Sequence, residues 1–118
     1  KNNLGLAQLA IDYSKNYDFI LVSIISPFRE IREKVKELIG TNFIEIYVKS
    51  SLEELIKRDT KGLYKQSLNK EIYNLIGFPG SEIPYEEPKN PDITLYADKE
   101  SLEDSTSKLY NYITKTLT

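Results

Sequence analysis

The longest apolar run of the chain, Phe19–Ile25, constrains its fold most strongly. Its residues are aliphatic, β-branched or aromatic, with the single exception of Ser23. A nearly continuous run of this kind is typical of a strand that is covered on both faces, as in a parallel sheet. The run is far too short to span a bilayer, so we expect no membrane segment. We therefore expect a buried parallel strand at the centre of the fold.

Helix and strand patterns alternate along most of the remaining sequence. Helices are predicted at Asn3–Lys15, Phe28–Ile39, Ser51–Arg58, Leu63–Ile72 and Ser101–Leu117, and further strands at Asn42–Lys49 and Ile93–Tyr96. In the last helix, Leu102, Leu109 and Ile113 are expected to face inward. This alternation favours an α/β fold with a parallel sheet, in a single domain that covers residues 1–118. Because three strands make a thin sheet, we expect one or two further strands upstream of Lys1.

Composition excludes several functional classes. The 118 residues carry a net charge of −2 without a long basic run, so no nucleic-acid binding is expected. Cys and His are both absent, which removes thiol nucleophiles, imidazole bases and the usual zinc ligands. No metal site is predicted in these residues. The lack of Cys is compatible with a cytoplasmic location.

The turn after the predicted central strand, Ile25-Ser26-Pro27-Phe28-Arg29, is the first candidate site. Ligands of open α/β sheets bind beyond the carboxyl ends of the strands, where helix N-termini present N–H groups to anions. The guanidinium of Arg29 has a planar geometry suited to phosphate or sulfate. The simpler alternative is an ordinary helix N-cap formed by Ser26 and Pro27, with a solvated arginine.

The segment Arg58–Tyr64, with the sequence RDTKGLY, is the second candidate. Cationic side chains that flank a glycine let the backbone approach a ligand while the charges neutralise phosphate oxygens. The simpler alternative is a helix end followed by a polar turn.

Six segments, taken in order, resemble the adenylylsulfate (APS) kinases, P-loop enzymes that phosphorylate a nucleotide ribose 3′-hydroxyl with ATP. They are SIISPFR (Ser23–Arg29), NFIEIYV (Asn42–Val48), RDTKGLY (Arg58–Tyr64), KEIYNLIG (Lys70–Gly77), IPYEEPKNP (Ile83–Pro91) and DKESLED (Asp98–Asp104). The resemblance covers nearly the whole chain. It implies a P-loop-kinase three-layer sandwich, with ATP and Mg²⁺ as cofactors, a small nucleotide as acceptor and a lid at about residues 58–84. Members of the family are often dimers, so a homodimer is an open alternative.

The resemblance also implies roles for individual residues. Ser26 and Lys61 match catalytic positions. The acceptor-binding positions correspond to Asn2, Ile25, Ser26, Arg29, Lys61, Asn74 and Leu75, and the ATP-binding positions to Arg58, Ala97 and Lys99. A nucleoside monophosphate kinase of related fold would share the lid but would not explain the SPFR and PYEEP segments.

The sequence departs from the family pattern at three places. No G-x-x-x-x-G-K-[ST] phosphate loop occurs in these residues, so we expect it upstream of Lys1; if the natural chain begins near Lys1, the protein is a non-catalytic nucleotide-binding remnant. Leu75 replaces the phenylalanine that stacks on the acceptor adenine, and the first helix lacks the family's two arginines. The last two departures concern the acceptor side, so we expect adenylylsulfate to be a poorer substrate than a nucleotide with a smaller base, such as cytidine diphosphoramidate. Adenylylsulfate stays the alternative acceptor, since it is the usual one in the family.

Overall fold

The structure, a computed structural model, describes residues 3–58, 62 and 83–117. In this part of the chain two short parallel strands form the sheet. Helices α1 (Asn3–Tyr13) and α2 (Arg29–Ile39) precede strand β1 (Ile46–Lys49), and α3 (Leu52–Lys57), β2 (Ile93–Tyr96) and α4 (Leu102–Leu117) follow it. Five of the predicted helices and strands are therefore confirmed to within four residues at each end, and β2 matches its predicted bounds. The helix predicted at Leu63–Ile72 lies outside the described residues.

The two strands confirm the predicted parallel α/β arrangement. β1 and β2 pair in parallel, with Ile46 opposite Ile93 and Lys49 opposite Tyr96. Ile93 and Leu95 are each only 8% exposed, since they alternate onto the face of β2 that packs against its neighbours. α4 packs against β2, and α1 packs against α2. None of the helices in the described part of the chain has the length and apolar character that a bilayer crossing requires.

The prediction that Phe19–Ile25 is a buried strand is wrong. The segment forms no strand, and Leu21 and Val22 are 79% and 49% exposed. A strand depends on a hydrogen-bonded neighbour, because its N–H and C=O groups point sideways and find no partner within the segment itself. In the described residues β1 and β2 pair only with each other, so the run lacks such a neighbour and its apolar side chains stay uncovered.

Local hydrogen bonds explain where three of the helices begin or end. The Ser51 hydroxyl accepts from the Glu54 amide at 3.2 Å at the start of α3, and the Ser101 hydroxyl accepts from the Asp104 amide at 3.0 Å at the start of α4. α2 ends at Gly40, whose φ of 88° favours glycine. The expected inward position of Leu102 is wrong, since it is 86% exposed in the first turn of α4.

The Glu100 carboxylate joins the end of β2 to α4. One oxygen accepts from the Tyr96 amide at 3.1 Å and from the Ser105 hydroxyl at 2.8 Å. The other accepts from the Lys108 ammonium at 3.0 Å. Hydrogen bonds from Lys108 and then Ser105 hold the pKa of Glu100 below its ordinary value of 4.5. The charged form of this side chain therefore stabilises the fold.

We predict that Glu100→Gln lowers the free energy of unfolding at neutral pH and that this deficit shrinks in acid. Since folding depresses the pKa of Glu100, the unfolded chain takes up its proton first as pH falls below about 4.5. The stabilisation is thus complete above that pH and is lost as pH falls through the pKa of the folded state. Urea unfolding at about pH 7 and about pH 3.5 measures the effect. Glu37→Gln, an exposed carboxylate of α2, is the control, and an equal deficit at both pH values would contradict the prediction.

Candidate functional site

Ser26 lies in a strained turn between the apolar run and α2. Its φ is 45°, and it is the one non-glycine residue in the described part of the chain with a positive φ. Such a conformation costs a non-glycine residue about 1–3 kcal/mol and persists only where the surroundings enforce it. The Asn3 side chain at the start of α1 donates to the Ser26 hydroxyl at 2.9 Å. The strained turn is therefore attached to α1 through a hydrogen bond between side chains.

The guanidinium of Arg32, in the first helical turn of α2, also contacts the loop at Ser26. One terminal nitrogen donates to the Ser26 carbonyl at 2.5 Å, and the other donates to the Glu86 carbonyl. The Nε atom lies 3.4 Å from a carboxylate oxygen of Glu45. All three nitrogens of Arg32 are thus engaged, and the side chain is only 10% exposed.

Residues 83–88, the IPYEEP segment, are held against the beginning of α2 by further bonds. The Glu86 carboxylate accepts from the Arg29 amide at 2.9 Å, while the Glu86 amide donates to the Pro27 carbonyl at 2.8 Å. The Arg29 Nε donates to the Glu87 carbonyl at 2.7 Å. α2 has no side-chain cap from its own N-cap residue, Phe28. The carboxylate of Glu86, 57 positions beyond Arg29, caps the helix instead, so the N-cap alternative with Ser26 is wrong.

Two tyrosines extend this contact toward β1. The rings of Tyr47 and Tyr85 stack with centroids 6.2 Å apart, and the Arg32 guanidinium lies 5.6 Å from the Tyr85 centroid. The Tyr47 hydroxyl donates to Glu87 at 3.0 Å. Burial, followed by this hydrogen bond, raises the pKa of Tyr47 well above its ordinary range, and burial raises that of Tyr85. Both phenols therefore stay neutral at physiological pH.

A cavity of about 430 Å³ opens beside the strained turn. It is lined by Asn3, Leu4, Ile24, Ile25, Ser26, Pro27, Phe28, Ile31 and Ile83. The predicted acceptor residues Ile25 and Ser26 lie together on its wall. No charged side chain is among these lining residues, so recognition here would depend on apolar contact and on a few polar groups. Since Asn3 donates to the Ser26 oxygen, the hydroxyl proton of Ser26 remains available to a ligand.

Arg29 lies in a different cavity from Ser26. This second cavity, of about 420 Å³, is lined by Arg29, Glu30, Arg32, Glu33, Lys36, Glu45, Pro88, Lys89 and Asn90. Its charges alternate in sign. Burial raises the pKa of Glu45 from its ordinary value, and the nearby Arg32 opposes that shift. The predicted acceptor residues are therefore only partly brought together: Ile25 and Ser26 share one cavity, while Arg29 supports the adjoining segment.

The three predicted ATP-side residues lie near one another at the carboxyl ends of the parallel strands. Arg58, which follows α3, donates to the Ala97 carbonyl at 3.0 Å and also pairs with Glu54 at 2.7 Å. Lys99 is exposed, with its ammonium 5.9 Å from the Tyr96 ring centroid. Ligands of parallel sheets bind at this edge, so the arrangement is suited to hold part of a nucleotide.

Asp98 adds a carboxylate to this edge. One of its oxygens accepts from the Ser51 amide at 3.1 Å. The other oxygen is buried and has no hydrogen-bond partner among the described residues. The hydrogen bond between Ser51 and Asp98 connects the start of α3 to the end of β2. It therefore helps to position Arg58, which follows α3, and Ala97, which precedes Asp98.

Four predicted site residues, Asn2, Lys61, Asn74 and Leu75, lie outside the described residues, as does most of the predicted lid at 58–84. Gly62 is described, and its φ of 69° is a conformation that glycine adopts without strain. Sequence reasoning missed the roles of Asn3, Arg32 and Glu86. Arg32 follows Arg29 by three positions and so shares its helix face, which was the one available signal.

Comparison with known proteins finds relatives that match most of the chain. A family model described as adenylylsulphate kinase matches residues 1–96. A probable adenylyl-sulfate kinase of Aeropyrum pernix is 39% identical over 111 residues, covering 92% of this chain and 59% of the relative. The adenylyl-sulfate kinase of a Picosynechococcus species is 44% identical over 102 residues, covering 86% of this chain and 55% of the relative.

A solved structure shows the same fold. The Mycobacterium tuberculosis APS kinase, in complex with AMPPNP and APS, superposes with a TM-score of 0.71 at 30% identity. The match covers 95% of this chain and 66% of that one, so the chain spans between half and two thirds of the length of these three proteins. The α/β fold described above is thus that of a P-loop kinase, and the chain belongs to the adenylylsulphate kinase family.

Proposed function

We propose that the complete protein is a kinase that transfers the γ-phosphoryl group of ATP to the ribose 3′-hydroxyl of adenylylsulfate. The observation that carries the proposal is the position of Ile25 and Ser26, which match the acceptor-binding turn of the family and line one cavity. The relatives reported above are named for adenylylsulfate, and one solved neighbour holds APS together with an ATP analogue. Adenylylsulfate is therefore the acceptor that we propose in preference to cytidine diphosphoramidate.

The turn at Ser26 would orient the acceptor. The Ser26 hydroxyl accepts from Asn3, so its own proton can be donated to an oxygen of the bound nucleotide. The apolar wall formed by Leu4, Ile25 and Phe28 would exclude water from the nucleotide face that it contacts. Orientation and water exclusion are what a phosphotransferase needs most, because phosphoryl transfer depends on positioning and charge stabilisation.

The residues at the carboxyl ends of β1 and β2 would hold ATP. ATP supplies the phosphoryl group that is transferred. Arg58 and Ala97 lie in contact at this edge, and Lys99 is exposed beside them. Lys61, which the family pattern places in the lid, would neutralise charge on the transferred group. Among the described residues no group of His, Cys, Asp and Glu could hold a metal ion, so we assign no Mg²⁺ ligand to them.

The proposed kinase requires a phosphate loop in the rest of the protein, whereas the non-catalytic alternative would lack one. A cytoplasmic location and a homodimer stay predictions, since no described feature bears on either.

The direct test is a kinase assay of the complete protein with ATP and adenylylsulfate, following both ADP and the 3′-phosphorylated product. We expect Lys61→Ala to lower kcat at least about ten-fold and to leave the melting temperature nearly unchanged, because a cation beside a glycine in a lid contributes charge and little packing. Lys34→Ala, an exposed lysine of α2, is the matched control and should behave as the wild type. Lack of ADP release by the wild type with adenylylsulfate would contradict the proposal.

A second prediction concerns the acceptor base. Leu75 replaces an aromatic platform, and base stacking contributes about 1–3 kcal/mol. We expect Leu75→Phe to raise kcat/KM for adenylylsulfate about ten-fold, through a lower KM, while KM for ATP is unchanged. Leu102→Phe, at an exposed leucine, controls for the added ring.

The same assay with cytidine diphosphoramidate distinguishes the two acceptors. A higher kcat/KM for that nucleotide than for adenylylsulfate in the wild type would show that the smaller base is the true acceptor. A decrease in kcat/KM for adenylylsulfate in Leu75→Phe would show that the pocket has no room for the platform.

A further inference from the structure

The strained conformation of Ser26 requires an external cause. A serine gains nothing from a positive φ on its own, and the cost of about 1–3 kcal/mol must be offset by contacts that this conformation alone allows. The Asn3 bond reaches the hydroxyl, which can rotate about its own side-chain torsion, so it does not determine the backbone. The contact that does reach the backbone is the bond from Arg32 to the Ser26 carbonyl, at 2.5 Å.

Arg32 holds two separate segments with one planar group. Its two terminal nitrogens donate to carbonyls that are 60 positions apart in the chain, those of Ser26 and Glu86. Because the guanidinium is rigid, the position of one carbonyl sets the position of the other. The Glu86 amide in turn donates to the Pro27 carbonyl at 2.8 Å, so the two segments are joined by bonds on successive peptide groups.

The charge of Arg32 is balanced where it is buried. Its side chain is 10% exposed, that of Glu45 is 20% exposed, and their closest charged atoms are 3.4 Å apart. Desolvating an unpaired guanidinium would be costly, so Glu45 makes it possible for Arg32 to serve two neutral carbonyls.

The geometry points to Arg32 as a positioning residue for the acceptor: by bridging the Ser26 and Glu86 carbonyls, it sets the turn that presents Ile25 and the Ser26 hydroxyl to the cavity. This inference rests on the proposed function for the identity of the ligand. Arg32 does not line the cavity that contains Ser26, and all three of its nitrogens are engaged by protein groups. It therefore acts on the acceptor through the turn and not by direct contact.

The test compares Arg32→Lys and Arg32→Met in the complete protein. Lysine keeps the charge beside Glu45 but cannot reproduce the planar double donation, so both variants should raise KM for adenylylsulfate about ten-fold or more. KM for ATP should stay within about two-fold of the wild-type value, because Arg32 contacts Ser26, Glu86 and Glu45, none of which is a predicted ATP-side residue. Lys34→Met, which removes an exposed cation from the same helix, should have wild-type kinetics.

Two kinetic outcomes would overturn the inference. Wild-type kinetics in Arg32→Lys would show that the charge suffices and that the double donation is not the role of Arg32. An equal rise in KM for both substrates, together with a lower melting temperature, would show that Arg32 supports the whole fold.

A second measurement separates this inference from the proposed function. The intraresidue distance between the amide and α protons of Ser26 is short only when φ is positive, so NMR reports the turn without any assay. We expect a strong intraresidue NOE in the wild type and in Lys34→Met, and a weak one in Arg32→Met. If the wild type does not phosphorylate adenylylsulfate, the proposed function fails, and the NOE still decides whether Arg32 sets the turn. A strong intraresidue NOE in Arg32→Met would show that Arg32 does not set the turn and would overturn the inference.

Discussion

The guanidinium of Arg32 is the interaction on which the arrangement of the Ser26 turn and the IPYEEP segment depends. It connects α2, the Ser26 turn and the IPYEEP segment, and it forms an ion pair with Glu45, the residue just before β1. Charge-assisted hydrogen bonds of this kind are about twice as strong as neutral ones, and partial burial strengthens them further. The same burial would make the group destabilising if either carbonyl moved away. The contact is therefore one that favours a single geometry of the turn.

The two candidate regions are built by different parts of the chain. The cavity beside the Ser26 turn, which we propose for the acceptor, is formed where α1, that turn and α2 meet, and its wall is mostly apolar. The residues predicted to bind ATP follow the ends of β1 and β2, where the parallel pairing brings Arg58 to the Ala97 carbonyl. The proposed transfer between two nucleotides would require two separate binding regions, with the reacting groups meeting between them.

Sequence reasoning predicted well the features that are determined locally. Ser51 and Ser101 are N-caps whose partners lie three positions later, and Gly40 ends α2 by its own backbone freedom. β2 was predicted with its observed bounds, Ile93–Tyr96. The family pattern assigned Ile25 and Ser26 to acceptor binding, and both residues line one cavity, although their role stays a prediction. The positions of Asn2, Lys61, Asn74 and Leu75 stay predictions.

The errors concern features that depend on distant residues. Phe19–Ile25 has the composition of a buried strand, but burial depends on a neighbouring strand, which the described residues do not supply. Arg29 stays a predicted acceptor residue, and the bond from its Nε to the Glu87 carbonyl is a contact that the sequence did not indicate. The carboxylate that caps α2 comes from Glu86, and nothing in the local pattern of PYEEP indicates that partner.

Amide hydrogen exchange in the Arg32→Met variant tests most directly whether the guanidinium joins the two segments. The Arg29 amide donates to the Glu86 carboxylate and the Glu86 amide donates to the Pro27 carbonyl, so both report the junction. The Ala97 amide, which donates to the Lys49 carbonyl at 2.8 Å beside the β1–β2 pair, is the internal reference. We expect the Arg29 and Glu86 amides to lose protection together, about ten-fold or more, while Ala97 keeps its protection. Unchanged protection at Arg29 and Glu86 would contradict this account.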